Sequence, residues 1–326
     1  MCLDIIREYY LGDSPPHMLI LGRKYKFTEL ELARLEKKFK NIAHIKYRDR
    51  LEEDVLKELD LYIHNNDFDI FVLNTKAKVG DNIIKYLTKL QFEKRNRKIQ
   101  IITIEQFVEK YLNKCYIPED NNDLHYLIDI KPYNAFEYAI KRVIDYVAVF
   151  FLWLAHSYFK LFIQSKMQKE SPGSLYFTQP RVGQNTINFT CYKFRTMHEN
   201  SEHNPYTQDN DDRVFAYGDK MRRYRIDEIP QYKNILKGEM HLIGPRAEWD
   251  ILVKGYENEL PYYHERHLVK PGITGWAQVN YPYGRDIFDT KQKLMYDLYY
   301  IKHWSILLEL KVVWKTILVV IGKKGL

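Results

Sequence analysis

The sequence predicts an α/β chain in two parts, and three observations carry that prediction. Short apolar runs alternate with helical patterns between residues 17 and 129. One apolar segment then opens at residue 141 and is too short for a plain bilayer crossing. Beyond it, charged and glycine-bearing motifs follow one another up to residue 305. At 326 residues the chain is long enough for two ordinary domains, which the pattern places at 1–130 and 131–326.

Residues 17–21, 43–45, 69–73 and 99–104 read as strands, and 27–39, 51–61, 81–95 and 105–114 as helices. That alternation builds a parallel sheet with helices on its faces, a Rossmann-like arrangement. Its first turn, L-I-L-G-R-K-Y, has one glycine where a dinucleotide fingerprint needs three, and no phosphate-binding loop occurs in the chain. A structural or regulatory module, degenerate as a nucleotide site, is therefore expected. Glu119 to Asp123 reads as a polar loop before its last strand.

Residues 141–163 are the membrane candidate: K-R-V-I-D-Y-V-A-V-F-F-L-W-L-A-H-S-Y-F-K-L-F-I. The uninterrupted apolar run, Val147 to Ala155, is nine residues, against about 20 for a straight crossing. Lengthening it admits Asp145, His156 and Lys160, each costly near the bilayer centre. Lys141 and Arg142 precede the run, and Lys160, Lys166 and Lys169 follow it. Basic residues favour the cytoplasmic side, so both ends belong there, as in a segment that enters one leaflet and returns. In residues 302–321, Lys302, Ser305, Glu309 and Thr316 fall on one helical stripe, and most of the rest is apolar. An interfacial amphipathic helix is expected, with a core helix as the alternative and Lys311 and Lys315 snorkelling or facing the protein.

Composition narrows the function. The formal net charge of +7 suits an anionic partner: nucleic acid, a membrane surface or a phosphorylated substrate. No nucleic-acid-binding motif appears, and the basic residues are spread over both parts. With a mean hydropathy of −0.48 this is no polytopic membrane protein. Cys2, Cys115 and Cys191 are too far apart to suggest a metal pair or a disulfide framework, which points to a reducing compartment. The opening M-C-L-D-I-I-R-E lacks the basic-then-apolar pattern of a secretory signal.

The chemistry concentrates in residues 222–248, R-R-Y-R-I-D-E-I-P-Q-Y-K-N-I-L-K-G-E-M-H-L-I-G-P-R-A-E. Pro230 is tolerated in a first helical turn. The spacing predicts Asp227 as N-cap, a helix over 228–237, and Gly238 as its end. A carboxylate at a helix N-terminus is held ionised, beside donors suited to phosphate. Arg222, Arg223, Arg225 and Arg246 flank Asp227 and Glu228. Four further strings accompany them: Q-P-R-V-G from Gln179, K-F-R-T-M from Lys193, T-Q-D-N-D-D-R from Thr207 and K-P-G-I-T-G-W-A-Q-V-N from Lys270. In a strand, Lys193 and Arg195 share a face and would repel unless an anion joined them.

These motifs, in this order, resemble the bacterial sugar transferases, the monotopic polyprenol-phosphate phosphoglycosyl transferases. The resemblance runs from Lys141 to the C-terminus and includes K-R-x-x-D at Lys141, Arg142 and Asp145, and D-L-Y-Y-I-K-H-W-S from Asp297. The first part resembles the nucleotide-binding-like domain of larger members. There are departures: no proline interrupts the membrane segment at A-H-S-Y-F-K, Asp212 and Ala247 replace prolines, and Arg225 stands where many members have serine. The resemblance implies a mixed α/β, membrane-associated catalytic domain with a re-entrant helix over about 141–165. It implies transfer of sugar-1-phosphate from a UDP-sugar to polyprenyl (undecaprenyl) phosphate. Asp227 would be the nucleophile, and Glu228 a base or an aid to metal placement. Mg²⁺ would be held by Asp227 and Glu228. Phosphate and substrate contacts would come from Arg246, Lys193, Arg195, Arg223, Arg181, Glu248 and Gln278. The implied place is the cytoplasmic face of a bacterial inner membrane, in one leaflet, with homodimerisation through the N-terminal sheet compatible. The sugar is not identified by any residue.

Overall fold

The protein is described by a computed structural model at residues 17–22, 25–47, 50–65, 70–74, 79–93, 99–117, 133–199, 201, 211–282, 284 and 286–322. The polar loop expected at 119–123 and the Thr207–Asn210 part of the third motif lie outside these residues. The chain divides into two compact units, Met1–Tyr116 and Ile117–Leu326.

The first unit alternates as expected: β1 (His17–Gly22), α1 (Glu29–Leu35), β2 (Asn41–Ile45), α2 (Glu52–Asn65), β3 (Ile70–Asn74), α3 (Asp81–Glu93), β4 (Gln100–Thr103) and α4 (Ile104–Phe107), then a π-helical turn, Val108–Leu112. The four strands are parallel in the order β2-β1-β3-β4. Capping boxes move two boundaries. Thr28 and Glu31 start α1 two residues later than the apolar pattern does, and Thr103 and Gln106 end β4 where a strand to 104 was expected. One face of the sheet packs Leu19, Leu21 and Phe71 against Val55, Leu59 and Ile63 of α2 and Ile83 and Leu87 of α3.

The second unit is built on α5 (Ala135–Glu170), started by an Asn134–Glu137 capping box. Its 36 residues are helical throughout, so no break occurs near Ala155–Lys160, where a re-entrant bend was expected. Ser157 Oγ donates to the Trp153 carbonyl at 2.8 Å, but His156 turns away to Tyr176 OH at 2.9 Å. There follow a β5–β6 antiparallel hairpin (Tyr176–Val182, Asn188–Phe194), α6 (Ala216–Arg223), α7 (Tyr232–Leu236), β7 (His241–Ile243), α8 (Asp250–Glu259), β8 (Gly272–Thr274), α9 (Trp276–Asn280), α10 (Ile287–Lys302) and α11 (Ile306–Ile321).

Two helices are amphipathic in the sense opposite to a soluble protein. On α5, Lys141, Asp145 and His156 turn inward with Val149, Ile163 and Met167, while Phe150, Phe151, Trp153, Leu154, Tyr158, Leu161 and Phe162 are exposed. Among the described residues α5 alone is long and apolar enough to cross a membrane. On α11 the inward side carries Glu309, and Leu307, Leu310, Trp314, Ile317, Leu318 and Ile321 face out. The stripe expected over 302–321 is corrected here: Lys302 ends α10, and Ser305 caps α11 by accepting from the Leu308 N–H. Thr316 meets Thr274 at 2.7 Å, Lys315 meets Asn280, and Lys311 is exposed.

Candidate active site

The Asp227–Glu228 pair sits on a turn wedged between two apolar clusters. Ile226 and Ile229 pack towards Ile163, Met167 and Phe194, while Tyr232 and Ile235 pack with Val149. The residues flanking the pair are therefore anchored to α5. The expected helix over 228–237, capped by Asp227, is corrected. Arg225 adopts a left-handed conformation, φ 57°, after α6, and a 3₁₀ turn begins at Ile226. Asp227 is thus inside the turn and makes no cap. Pro230 has no N–H for a helical ladder, and the winding becomes α only at Tyr232. Gly238, φ 76°, ends it as expected.

Both carboxylates are buried, at 8% and 4% exposure, yet their surroundings differ. Glu228 Oε1 accepts from Lys193 Nζ at 2.9 Å and from Arg246 Nη1 and Nη2 at 3.2 and 3.3 Å. Its Oε2 lies 3.6 Å from Arg225 Nη1. Burial pushes its pKa up, but Lys193, Arg246 and Arg225 together outweigh burial and hold it well below the usual carboxylate range. Asp227 Oδ1 has no hydrogen-bond donor among the described residues. Burial raises its pKa, aided by the Glu228 charge, and Lys193, Arg225 and Arg222 do not offset the rise. The expected lowering of the Asp227 pKa by a helix N-terminus is therefore corrected: desolvation raises it, while the cations around Glu228 lower that of its neighbour.

Arg246 reaches Glu228 because two motifs cross. β7 and β8 pair in parallel, His241 with Gly272 and Ile243 with Thr274, and Arg246 forms an isolated bridge with Gly272. The crossing is too tight for side chains. A Cβ on Gly272 would lie 2.1 Å from Gly244 N, and one on Gly275 would lie 2.1 Å from Gly244 O. The glycines of L-I-G-P-R and K-P-G-I-T-G thus explain one another. The Arg246 side chain keeps 30% exposure, so an anion arriving from solvent can reach it.

The remaining expected residues divide. Arg181 donates to the Ala247 carbonyl at 3.1 Å and lies 4.0 Å from Glu248. Burial raises the Glu248 pKa, but Arg266, Arg246, Arg181 and Lys293 reverse that and lower it. This pair adjoins Arg246 and extends the charged site. Arg195 does not join it. It follows β6, is 5% exposed, and donates to the carbonyls of Ser171, Ser174 and Met197 and to Ser171 Oγ. The expected pair of repelling cations is absent because Lys193 reaches Glu228 while Arg195 braces the end of α5. Arg223 pairs with Asp219 on the exposed face of α6 at 2.8 Å. Gln278 donates to the Ile273 carbonyl at 2.8 Å. Sequence reasoning missed Arg266, which donates to the Arg246 carbonyl at 2.8 Å and to Asp297 at 2.9 Å. Within H-E-R-H it looks like any surface arginine, and only Asp297 stood in a quoted motif.

Among the described residues no three His, Cys, Asp or Glu side chains form a metal cluster. Mg²⁺ commonly takes one or two carboxylates and completes its shell with substrate phosphates and water. The unpartnered Asp227 oxygen fits that role. Glu228, the second expected ligand, has both oxygens facing cations.

Comparison with known proteins matches this unit. A family model described as bacterial sugar transferase covers residues 136–323. A UDP-N-acetylgalactosamine-undecaprenyl-phosphate N-acetylgalactosaminephosphotransferase of Aeromonas hydrophila is 44% identical over 55% of this chain and 43% of its own length. A UDP-glucose:undecaprenyl-phosphate glucose-1-phosphate transferase of Xanthomonas campestris pv. campestris is 36% identical over 56% of this chain and 38% of its own. An uncharacterised sugar transferase of Bacillus subtilis is 36% identical over 57% of this chain and 90% of its own. The matched region thus spans less than half of the first two relatives.

Proposed function

The chain belongs to the bacterial sugar transferase family, and from that premise we propose that it is a phosphoglycosyl transferase moving sugar-1-phosphate from a UDP-sugar to undecaprenyl phosphate. The observation that carries this reading is the asymmetric pair: one buried carboxylate saturated with cations beside another with an unpartnered oxygen. Relatives named for transfer of N-acetylgalactosamine phosphate and of glucose phosphate support the reaction class.

In this mechanism Arg246 and Lys193 face the donor diphosphate and neutralise its charge as Asp227 approaches. An Asp227 oxygen attacks the phosphorus that bears the sugar. The bond from that phosphorus to the bridging oxygen breaks, and UMP leaves. A phosphate oxygen of the lipid then attacks the same phosphorus, and the bond to Asp227 breaks, restoring the carboxylate. Two modest displacements replace one hard one. Glu228 serves by holding Lys193 and Arg246 in place, since a carboxylate kept ionised by three cations is a poor base. Asp227 would hold a Mg²⁺ ion together with substrate phosphates, and the ion would supply further charge neutralisation.

The inward polar stripes of α5 and α11, with apolar faces outward, support a seat in one leaflet. From Lys141 to Met167 one face of α5 is buried by the protein, a length of about 39 Å at 1.5 Å per residue. The opposite face stays open to lipid, and the unbroken helix supports a shallow seat. The cytoplasmic face of the inner membrane suits a UDP-sugar donor, and the product would start membrane assembly of a surface glycan. Intact-mass measurement of purified protein with UDP-sugar and Mg²⁺, lipid omitted, tests the covalent step. The account expects a sugar-phosphate adduct that disappears in Asp227→Asn. An adduct that persists in that variant would remove Asp227 as nucleophile.

A further inference from the structure

β7 is three residues long and, among the described residues, has one strand neighbour, β8. The other edge of so short a buried strand would leave backbone groups without partners, which costs free energy wherever water is excluded. Two charged side chains of α5, four residues apart and so on one helix face, fill that edge. Lys141 donates to the Ile243 carbonyl at 3.0 Å. Asp145 Oδ1 accepts from the Leu242 backbone N–H at 2.8 Å. Each is fixed in turn. Lys141 also donates to Glu309 Oε1 and Tyr300 OH, both at 2.8 Å. Asp145 Oδ2 lies 2.6 Å from His241 Nδ1 and 3.0 Å from Arg142 Nη1. Lys141, Asp145 and Glu309 are each 1% exposed. Arg246 follows Ile243 by three residues, and Arg266 holds its carbonyl from elsewhere in the fold.

We infer that Lys141 and Asp145 are positioning residues for Arg246. Their side chains act as a surrogate strand along β7, and they register the arm that carries the guanidinium against the helix whose other face is apolar and exposed. Arg246 and the dyad are then anchored to one rigid element, since α5 also packs against the clusters on both sides of Asp227 and Glu228. The inference rests on the transferase reading for what Arg246 binds, and on geometry alone for what places it.

A double-mutant cycle tests it, using inorganic pyrophosphate as probe. Binding to the detergent-purified full chain is measured for wild type, Lys141→Met, Arg246→Ala and the double variant, with near-UV circular dichroism as the folding check. If Lys141 acts through Arg246, each single variant weakens binding roughly tenfold and the double variant weakens it no further, as for residues of one unit. Costs that add in the double variant, or unchanged affinity in Lys141→Met, overturn the inference. If Lys141→Met does not fold, Glu309→Gln enters the same cycle under the same criteria, because it removes the counter-charge at nearly constant size. Wild type that fails to bind pyrophosphate contradicts both this inference and the reaction. Wild type that binds pyrophosphate but releases no UMP from any donor contradicts the reaction only.

Discussion

Asp227 and Glu228 are neighbours in sequence with opposite electrostatic fates, and that difference makes predictions. An attacking Asp227 must be ionised, and burial has raised its pKa above the ordinary 3.8. Turnover should therefore climb with pH through that raised value, whereas a nucleophile at its ordinary pKa would give a flat profile above it; the pH–rate profile of UMP release checks this. Asp227→Asn should lower turnover by roughly 10³-fold or more. Because the fold favours its protonated form, Asp227 opposes stability as pH rises past 3.8. The Asn variant should thus melt no lower than wild type at neutral pH, an active-site trade-off that a thermal shift assay reads directly. Glu228 runs the other way. Its folded pKa is depressed, so its stabilisation is full above the ordinary 4.5 and is lost as pH falls below it. Glu228→Gln should lower stability by about 1–3 kcal/mol at neutral pH and flatten the acid limb of a melting-temperature series. The pair itself was legible in the sequence. The opposite directions of its pKa shifts were not, because they depend on Lys193, Arg246 and Arg225 converging on one carboxylate from separate elements.

At the level of elements, the strands and helices of the first unit were legible because alternation of period and capping residues act locally. The 3₁₀ turn at Ile226–Gln231 was not, since its start depends on Arg225 taking a left-handed conformation. Nor was the meeting of β7 and β8, which are 28 residues apart between Ile243 and Gly272 and three residues long each. Their crossing predicts that Gly244→Ala is damaging. Its Cβ would lie 2.6 Å from the Lys270 carbonyl and 2.9 Å from Gly272 N, at a cost of about 1–3 kcal/mol. Arg246 should shift with it, so kcat/KM should fall more than thermal stability alone explains. The outward faces of α5 and α11 predict a separate effect. Leu154→Asp changes an exposed residue, so it should leave melting in detergent within about 0.5 kcal/mol while weakening partition into phospholipid vesicles. Unchanged sedimentation with vesicles would count against α5 as the membrane face. Asp145, His156 and Lys160 argued in the sequence against a simple crossing; in the structure Asp145 and His156 face the protein and Lys160 is exposed.

Over the whole molecule, the family match covers the second unit and leaves the parallel-sheet unit outside it. The Bacillus subtilis relative, an uncharacterised sugar transferase, is matched over 90% of its length by this region, so the proposed reaction should need only the second unit. Residues 117–326, expressed alone, should keep kcat for UMP release within about tenfold of the full chain; a loss beyond about 10³-fold would give the first unit a catalytic part. The measurement that tests the central claim most directly is UMP release by the detergent-purified full chain. It is run over a panel of UDP-sugars that includes UDP-N-acetylgalactosamine and UDP-glucose, with Mg²⁺, with and without undecaprenyl phosphate. The account predicts sustained release that needs the lipid, favours one sugar and vanishes in Asp227→Asn. No release from folded protein with any donor, or release that the Asn variant sustains, would contradict it.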